Sequence, residues 1–308
     1  MNSPLITIFT VPKPFTNPHV AIIQDNALLS WANLKPEVEV LIIGLETGID
    51  QAAIRHGMRQ LRHVKRNEMG TPLISSMFDL ARKFSTSPFL AIINTDILLT
   101  PDILQAVHIV STRFEKFVIA GQRWDLEVSK KLVYSPYFYQ RIKERTRKEG
   151  RLHRPMGSDY FIFPRNCYTD VPDFAIGRAS WDNWMIFKSR WEGWPLVDVS
   201  KDVMIIHQSH DYSHLINGQP HYHLPESEKN IHLAGGKQTI FTLPDATHEL
   251  KKGHILPRKI TLRKFVREVE IFPLITLHSY WLGRISYWFF HPLKAYQAIR
   301  KWMRVKGH

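Results

Sequence analysis

A single cysteine, Cys167, serves all 308 residues. No intramolecular disulfide can form, a Cys-rich zinc site is excluded, and a reducing compartment is the expected setting. Long apolar runs are also missing. None reaches the ~18 residues of a membrane span, and the opening "MNSPLITIFTVPKPF" lacks the basic start and apolar stretch of a secretory leader. There is no G-x-G-x-x-G and no P-loop, which argues against dinucleotide and Walker-type nucleotide sites. Acidic residues are scarce at one end only. Of the net +13, the segment from Lys251 onward carries +11 (13 basic, 2 acidic residues), leaving +2 for residues 1–250. A nucleic-acid enzyme would need basic residues along its whole groove, so nucleic acid is not an expected partner. A basic tail on a near-neutral body suits an anionic surface instead.

What is present alternates. "LITIFTV" (5–11) reads as a strand. Val20, Ile23, Ala27, Trp31 and Leu34 follow at helical spacing, and Pro36 ends that helix. "EVEVLIIGL" (37–45) is a second strand, 50–59 a short helix and "LRHVK" (61–65) a third strand. Thr71 is expected to cap a helix with Pro72 at its first position. "FLAII" (89–93) is a fourth strand, Thr100-Pro101-Asp102 opens another helix, and "FVIAG" (117–121) is a fifth strand. Such β-α-β-α repetition predicts an α/β fold with a mostly parallel sheet. Residues 125–155 break the pattern as a basic helix and loop. Order returns with "GSDYFIFP" (157–164), then with a helix capped by Ser180 that buries Trp184, Phe187 and Trp191, then with "PLVDVS" and "VMIIHQSHDYSH".

Four polar clusters interrupt the apolar segments: Asn94-Thr95-Asp96, Gly157-Ser158-Asp159, Trp181-Asp182-Asn183-Trp184, and His207, His210, Asp211 and His214. The first lies at the carboxyl end of a buried strand, where open α/β sheets bind ligands. Asp and His together suit Mn²⁺ or Mg²⁺, and such a metal would neutralise a departing diphosphate.

Over residues 4–215, a strand-end acid, a later acid on a helix and a late histidine resemble the GT-A glycosyltransferases, nearest to family-2-like bacterial enzymes. "GSDYFIFP", "AIGRASWDNW" and "IHQSHDYSH" carry the likeness. The resemblance implies a GT-A-like, Rossmann-like sheet flanked by helices and transfer of a sugar from a nucleotide-diphosphate donor to an acceptor hydroxyl, in polysaccharide or glycolipid synthesis. It implies a divalent metal (Mn or Mg) held by Asp96, His207 and His210. Thr10, Val11, Pro12, Glu46, Asn67, Gly70, Asn94, Thr95 and Asp96 would contact the donor nucleotide, Asp182 would be the general base, and Asp159 and Trp181 would meet acceptor or donor. The family pattern has two acids at the strand end, and here the first is Asn94. A nucleotidyltransferase is a rival, although "TVPKPFTNPH" has no glycine. A non-catalytic protein of the same fold is another. The expected organisation is a catalytic domain over 1–254, with a donor half to about 122 and an acceptor half beyond it, then a basic aromatic helical tail over 255–308. In the tail, Leu293, Tyr296, Ile299 and Trp302-Met303 would share one face, beside Lys294, Arg300, Lys301 and Arg304, as in an interfacial helix. The alternative is that this helix packs on the domain. The expected setting is cytoplasmic, peripheral on the inner face of the membrane, with a sugar or lipid-linked acceptor.

Overall fold

A computed structural model describes residues 3–210 and 224–294, with 296, 297 and 300. In order its strands and helices are β1 (Ile6–Thr10), α1 (Pro18–Ala32), β2 (Val38–Ile43), α2 (Ile49–His56), β3 (Arg59–Leu61), α3 (Ile74–Phe84), β4 (Phe89–Ile93), β5 (Ile97–Leu98), α4 (Asp102–Ser111), β6 (Val118–Ala120), β7 (Arg123–Leu126), α5 (Phe138–Glu149), β8 (Arg151–Leu152), β9 (Tyr160–Pro164), α6 (Trp181–Trp191), β10 (Leu196–Asp198), β11 (Ile205–Gln208), α7 (Pro225–Leu233), β12 (His248–Lys251), β13 (His254–Pro257), α8 (Leu262–Ile275) and α9 (Tyr280–Phe290). Short, largely apolar runs form the central strands β1, β2, β4, β6 and β9, polar ones such as β3, β7 and β8 lie at sheet edges or in the second sheet, and helices fill many of the connections.

The main sheet has nine strands in the order β3-β2-β1-β4-β9-β6-β10-β12-β13. β1 pairs parallel with both β2 and β4, β2 with β3, and β10 with β6 and β12; β9 and β13 run antiparallel to their neighbours. The expected class, α/β with a mostly parallel sheet, is the observed one. Both faces are covered, so the central strands β1, β4 and β9 are buried almost throughout. Ile6, Ile8, Val40 and Ile93 face one layer with Trp31, and Phe9, Leu41, Leu90 and Ile92 face the other with Phe78 and Phe163.

The chain builds β1-β2-β3 outward in one direction and then places β4 on the other side of β1. That reversal opens a crevice at the carboxyl ends of β1 and β4. The hydroxyl of Thr10 closes its base, donating to the Ile93 carbonyl (2.8 Å) and pairing with the Thr95 hydroxyl (2.8 Å).

A second, four-stranded sheet, β5-β11-β7-β8, sits beside this crevice. The sequence pattern did not show it, because β5 and β8 are two residues long and β7 four. Local expectations also shift. Leu73, not Thr71, precedes α3, and neither residue's side chain caps it. Ser180 precedes α6 in a left-handed conformation (φ 84°) and makes no side-chain cap. Trp184 and Phe187 are buried, whereas Trp191 is only partly buried, packed against the edge of the core. β3 starts and ends earlier than 61–65, which frees residues 62–65 for a surface cleft. The expected boundary at 254/255 falls inside β13, where Ile255 pairs with Leu250. Beyond it, α8 buries Ile271 and Leu274 in the main core.

Candidate functional site

Two short pairings assemble the site. β11 runs antiparallel to β5 with His207 opposite Ile97, the residue after Asp96, and the Gln208 amide donates to the Asp96 carbonyl (3.0 Å). On its other edge β11 runs parallel to β7, which sets His207 opposite Asp125. The strand tip and the late histidines, 111 or more residues apart in sequence, therefore meet.

Asp96 Oδ2 lies 3.1 Å from His210 Nε2 and 3.7 Å from His207 Nε2. One ligand atom from each of the three lies within 4.8 Å of the others; among the described residues no other group of three His, Cys, Asp or Glu does this. Burial works against a charged Asp96, but hydrogen bonds and charge from His207 and His210 hold its carboxyl well below the usual range. Its second oxygen, Oδ1, is buried with no hydrogen-bond partner among the described residues. Orphaned carboxylate oxygens of this kind are rare and call for a ligand.

His207 is held from behind. Its Nδ1 donates to Asp125 Oδ1 (3.0 Å), while Asp125 also accepts from His153 Nδ1 (2.8 Å) and Arg123 Nε (3.0 Å). Burial opposes the imidazolium, yet Asp125 and Asp96 together push His207 up to about 9. A carboxylate behind a histidine fixes the tautomer and leaves Nε2 aimed at the ligand position. Sequence reasoning missed Asp125, Arg123 and His153. The one available signal was the alternation of "RWDL" (123–126), too short to stand out in a polar segment.

Asn94, where the resembling family has an acid, has a local reason. Its amide donates to Asp159 Oδ1 (3.0 Å), and Arg123 binds the other oxygen of Asp159 (2.7 Å). An aspartate at 94 would face the Asp159 carboxylate at that distance. Asn94 and Asp159 are thus joined to each other and brace the tip that carries Asp96.

Asp182 opens α6. Burial pushes its carboxyl up to about 6; backbone amides of Asn183, Asp182 itself and Ser158 hold it down, and the charge of Asp159 adds to the rise. Gly157 allows this approach, since a Cβ there would lie 2.4 Å from Asp182 Oδ2. Trp181 is buried edge-on against Phe161 at 6.0 Å. It packs as core and presents no open ring face for an acceptor sugar.

The remaining donor candidates share one edge of the sheet, because β1, β2, β3 and β4 are parallel. Thr10 ends β1, and Val11 and Pro12 follow it. Glu46 follows β2 and holds Arg66 at 2.6 Å on the wall of a cleft of about 700 Å³, which Arg62, His63, Val64, Lys65 and Leu80 also line. Asn67 accepts from the Met69 and Thr71 amides and donates to Glu226 (2.6 Å), and Gly70 takes φ 78° and gives its carbonyl to Arg66. Both residues thus hold the loop between β3 and α3. Asp211 and His214 lie outside the described residues.

No protein-family model and no curated protein sequence matches the chain. Solved structures are similar to it at low identity. Mannosyltransferase PcManGT from Pyrobaculum calidifontis, in complex with GDP-Man and Mn²⁺, is 13% identical with a TM-score of 0.43 over 69% of this chain and 59% of that one. S. aureus TarS 1-349 in complex with UDP-GlcNAc is 12% identical with a TM-score of 0.47 over 75% and 65%. M. tuberculosis glucosyl-3-phosphoglycerate synthase, in complex with Mg²⁺ and UDP, is 14% identical with a TM-score of 0.42 over 67% and 72%. The chain thus spans less than two thirds of the first two of these structures.

Proposed function

We propose that the chain is a glycosyltransferase that moves a sugar from a nucleoside-diphosphate donor to an acceptor hydroxyl. The observation that carries this reading is the convergence of Asp96, His207 and His210 at the crevice between β1 and β4, with one buried carboxylate oxygen of Asp96 left open.

The donor set fits a divalent ion. One carboxylate and two imidazoles are a mixed set, which favours Mn²⁺ over the oxygen-seeking Mg²⁺. Held there, the ion would neutralise the diphosphate that leaves. Asp96 supplies the anionic ligand, and Asp125 keeps His207 turned toward it. The cleft beside Glu46 lies on the same sheet edge and is of a size to take the nucleoside. Asp182, raised to about 6, is largely ionised at neutral pH yet more basic than an ordinary aspartate. It would accept the proton of the acceptor hydroxyl as that oxygen attacks the anomeric carbon. Membership in polysaccharide or glycolipid synthesis is part of the proposal and rests on the sequence resemblance.

The test is a panel of sugar nucleotides, scored for binding by calorimetry and for hydrolysis, with Mn²⁺, with Mg²⁺ and with chelator. The expected result is binding of one nucleoside diphosphate class that needs the metal, tighter with Mn²⁺. Absence of any metal-dependent nucleotide binding would leave a non-catalytic protein of this fold and defeat the proposal.

A further inference from the structure

The hairpin of α8 and α9 has a surface unlike the rest of the molecule. Among the described residues, fourteen of the twenty-four exposed large hydrophobics fall between Ile260 and Tyr296. They are ordered, not scattered. On α8, Leu262, Phe265, Val266, Val269 and Phe272 recur at helical spacing and are exposed, while Glu270, Ile271 and Leu274 on the opposite face are buried. On α9, Trp281 (70% exposed), Leu282, Ile285 and Phe289 (78%) form the outward stripe, and Gly283 and Tyr287 turn inward.

This surface is held rigidly to the body. Arg190 of α6 binds Glu268 (2.7 Å), Arg267 binds Asp245 (2.9 Å), and Trp191 lies against Tyr280 with centroids 4.8 Å apart. The same contacts sort the charges. Glu268 and Glu270 are the only acids after Glu249, and both are tied up in ion pairs: Glu268 with Arg190 and Lys264, Glu270 with Arg267 and His291. Lys259, Arg263, Arg284 and Lys294 are exposed with no acid of the hairpin facing outward.

An apolar stripe with large aromatics, flanked only by cations, complements one kind of surface: apolar within and anionic at its face. We propose that the outward face of the α8–α9 hairpin docks on an anionic lipid surface, with Trp281 and Phe289 entering the headgroup boundary and the basic residues meeting lipid phosphates. No described helix is long and apolar enough to cross a membrane, so the contact is interfacial. A second copy of the chain is a poorer occupant, because a symmetric contact would set this cationic face against itself.

The test is co-sedimentation of the full chain with phosphatidylcholine vesicles, with and without phosphatidylglycerol. The double variants Trp281→Ser/Phe289→Ser and Arg263→Glu/Arg284→Glu serve as probes. All four positions are exposed, and thermal melting confirms that the variants fold. Binding should require phosphatidylglycerol and fall strongly near 1 M salt, where the screening length is about 3 Å. Each double variant should weaken it at least about tenfold. Absence of binding to phosphatidylglycerol vesicles at low salt overturns the proposal, as does binding that neither variant changes. Self-association of the chain that the Trp281/Phe289 variant abolishes also overturns it, and assigns the face to a second copy.

Discussion

The strand tips and the α8–α9 hairpin treat their charged and apolar groups in opposite ways. In the hairpin every acid is matched: Glu270 is buried between Arg267 and His291, and Glu268 lies between Arg190 and Lys264. What is left over there is apolar surface. Around Asp96 and Asp182 the apolar neighbours Ile93, Ile97, Leu98, Trp181 and Trp184 are inside, and what is left over is polar: the Asp96 oxygen with no hydrogen-bond partner among the described residues, and a carboxyl at Asp182 raised by burial. Folding alone explains the matched groups in each region. The unmatched ones motivate the two proposals, whose chemistry differs accordingly: a cation with a diphosphate at one, a lipid surface at the other.

The largest way to break the contrast is to remove the unmatched carboxylate. Asp96→Asn keeps the side-chain shape, so the protein should fold, but the amide cannot serve as an anionic ligand. Metal-dependent nucleotide binding should disappear in calorimetry, and turnover should fall roughly 10³-fold or more. Nucleotide affinity that is unchanged with Mn²⁺ would show that the tip is only a turn. The next effect belongs to Asp182→Asn, which should leave donor binding intact and lower turnover about 10²-fold. The sign of the pH dependence follows from the raised pKa. If the proposed activity holds, the parent protein should gain it as pH climbs through about 6, where Asp182 loses its proton, and that acidic limb should vanish in the variant.

The parallel half of this fold was readable because strands covered on both faces are written as unbroken apolar runs. "FLAII" followed by a carboxylate also marked Asp96, and "IHQSH" marked His207 and His210. Other features depend on partners far away in sequence. Asn94 makes sense only beside Asp159, 65 residues on, across the antiparallel pairing of β4 and β9. Asp125 meets His207 through a four-residue strand whose partner lies 82 residues later. Thr71 and Ser180 had capping residue types, but bridges at Pro72 and Leu73 delay α3 to Ile74, and Ser180 takes a left-handed backbone. In the tail, the pattern anticipated over 293–304 falls largely outside the described residues, since Ile299 and 301–304 lie beyond them. The outward stripe of α8 lay earlier in the sequence, hidden because an inward apolar face shares the same helix.

Asp125 sharpens the comparison by separating holding from binding. Asp125→Asn leaves all three ligand residues in place but removes the charge behind His207. Mn²⁺ affinity should fall about 10–100-fold, the usual cost of losing such a support. The parent supplies a control in pH. A histidine raised from 6.5 to about 9 stabilises the metal-free fold fully below pH 6.5, and that contribution is lost as pH rises through 9. Metal must displace the same proton, so the thermal stabilisation by Mn²⁺ should grow between those limits. In Asp125→Asn the growth should begin at lower pH. An identical ramp in both proteins would mean that Asp125 does not govern His207.

The smallest effect tests whether the hairpin belongs to the body at all. Gly283 sits where α9 crosses α8, and a Cβ there would lie 2.8 Å from Leu274 Cβ and 2.9 Å from its Cδ1. The backbone is helical, so alanine should gain about 1 kcal/mol of helix propensity. Overpacking against a buried leucine should cost about 1–3 kcal/mol, which leaves a net loss near 1 kcal/mol and a fall in Tm of about 2–4 °C. Because Leu274 is part of the main core, the whole protein should still melt in one transition, now at lower temperature, with metal-dependent nucleotide binding at 25 °C unchanged. A new, separate low-temperature transition in Gly283→Ala would show instead that the hairpin melts apart from the body. The rigid outward face would then not be part of the folded unit that carries the strand tips.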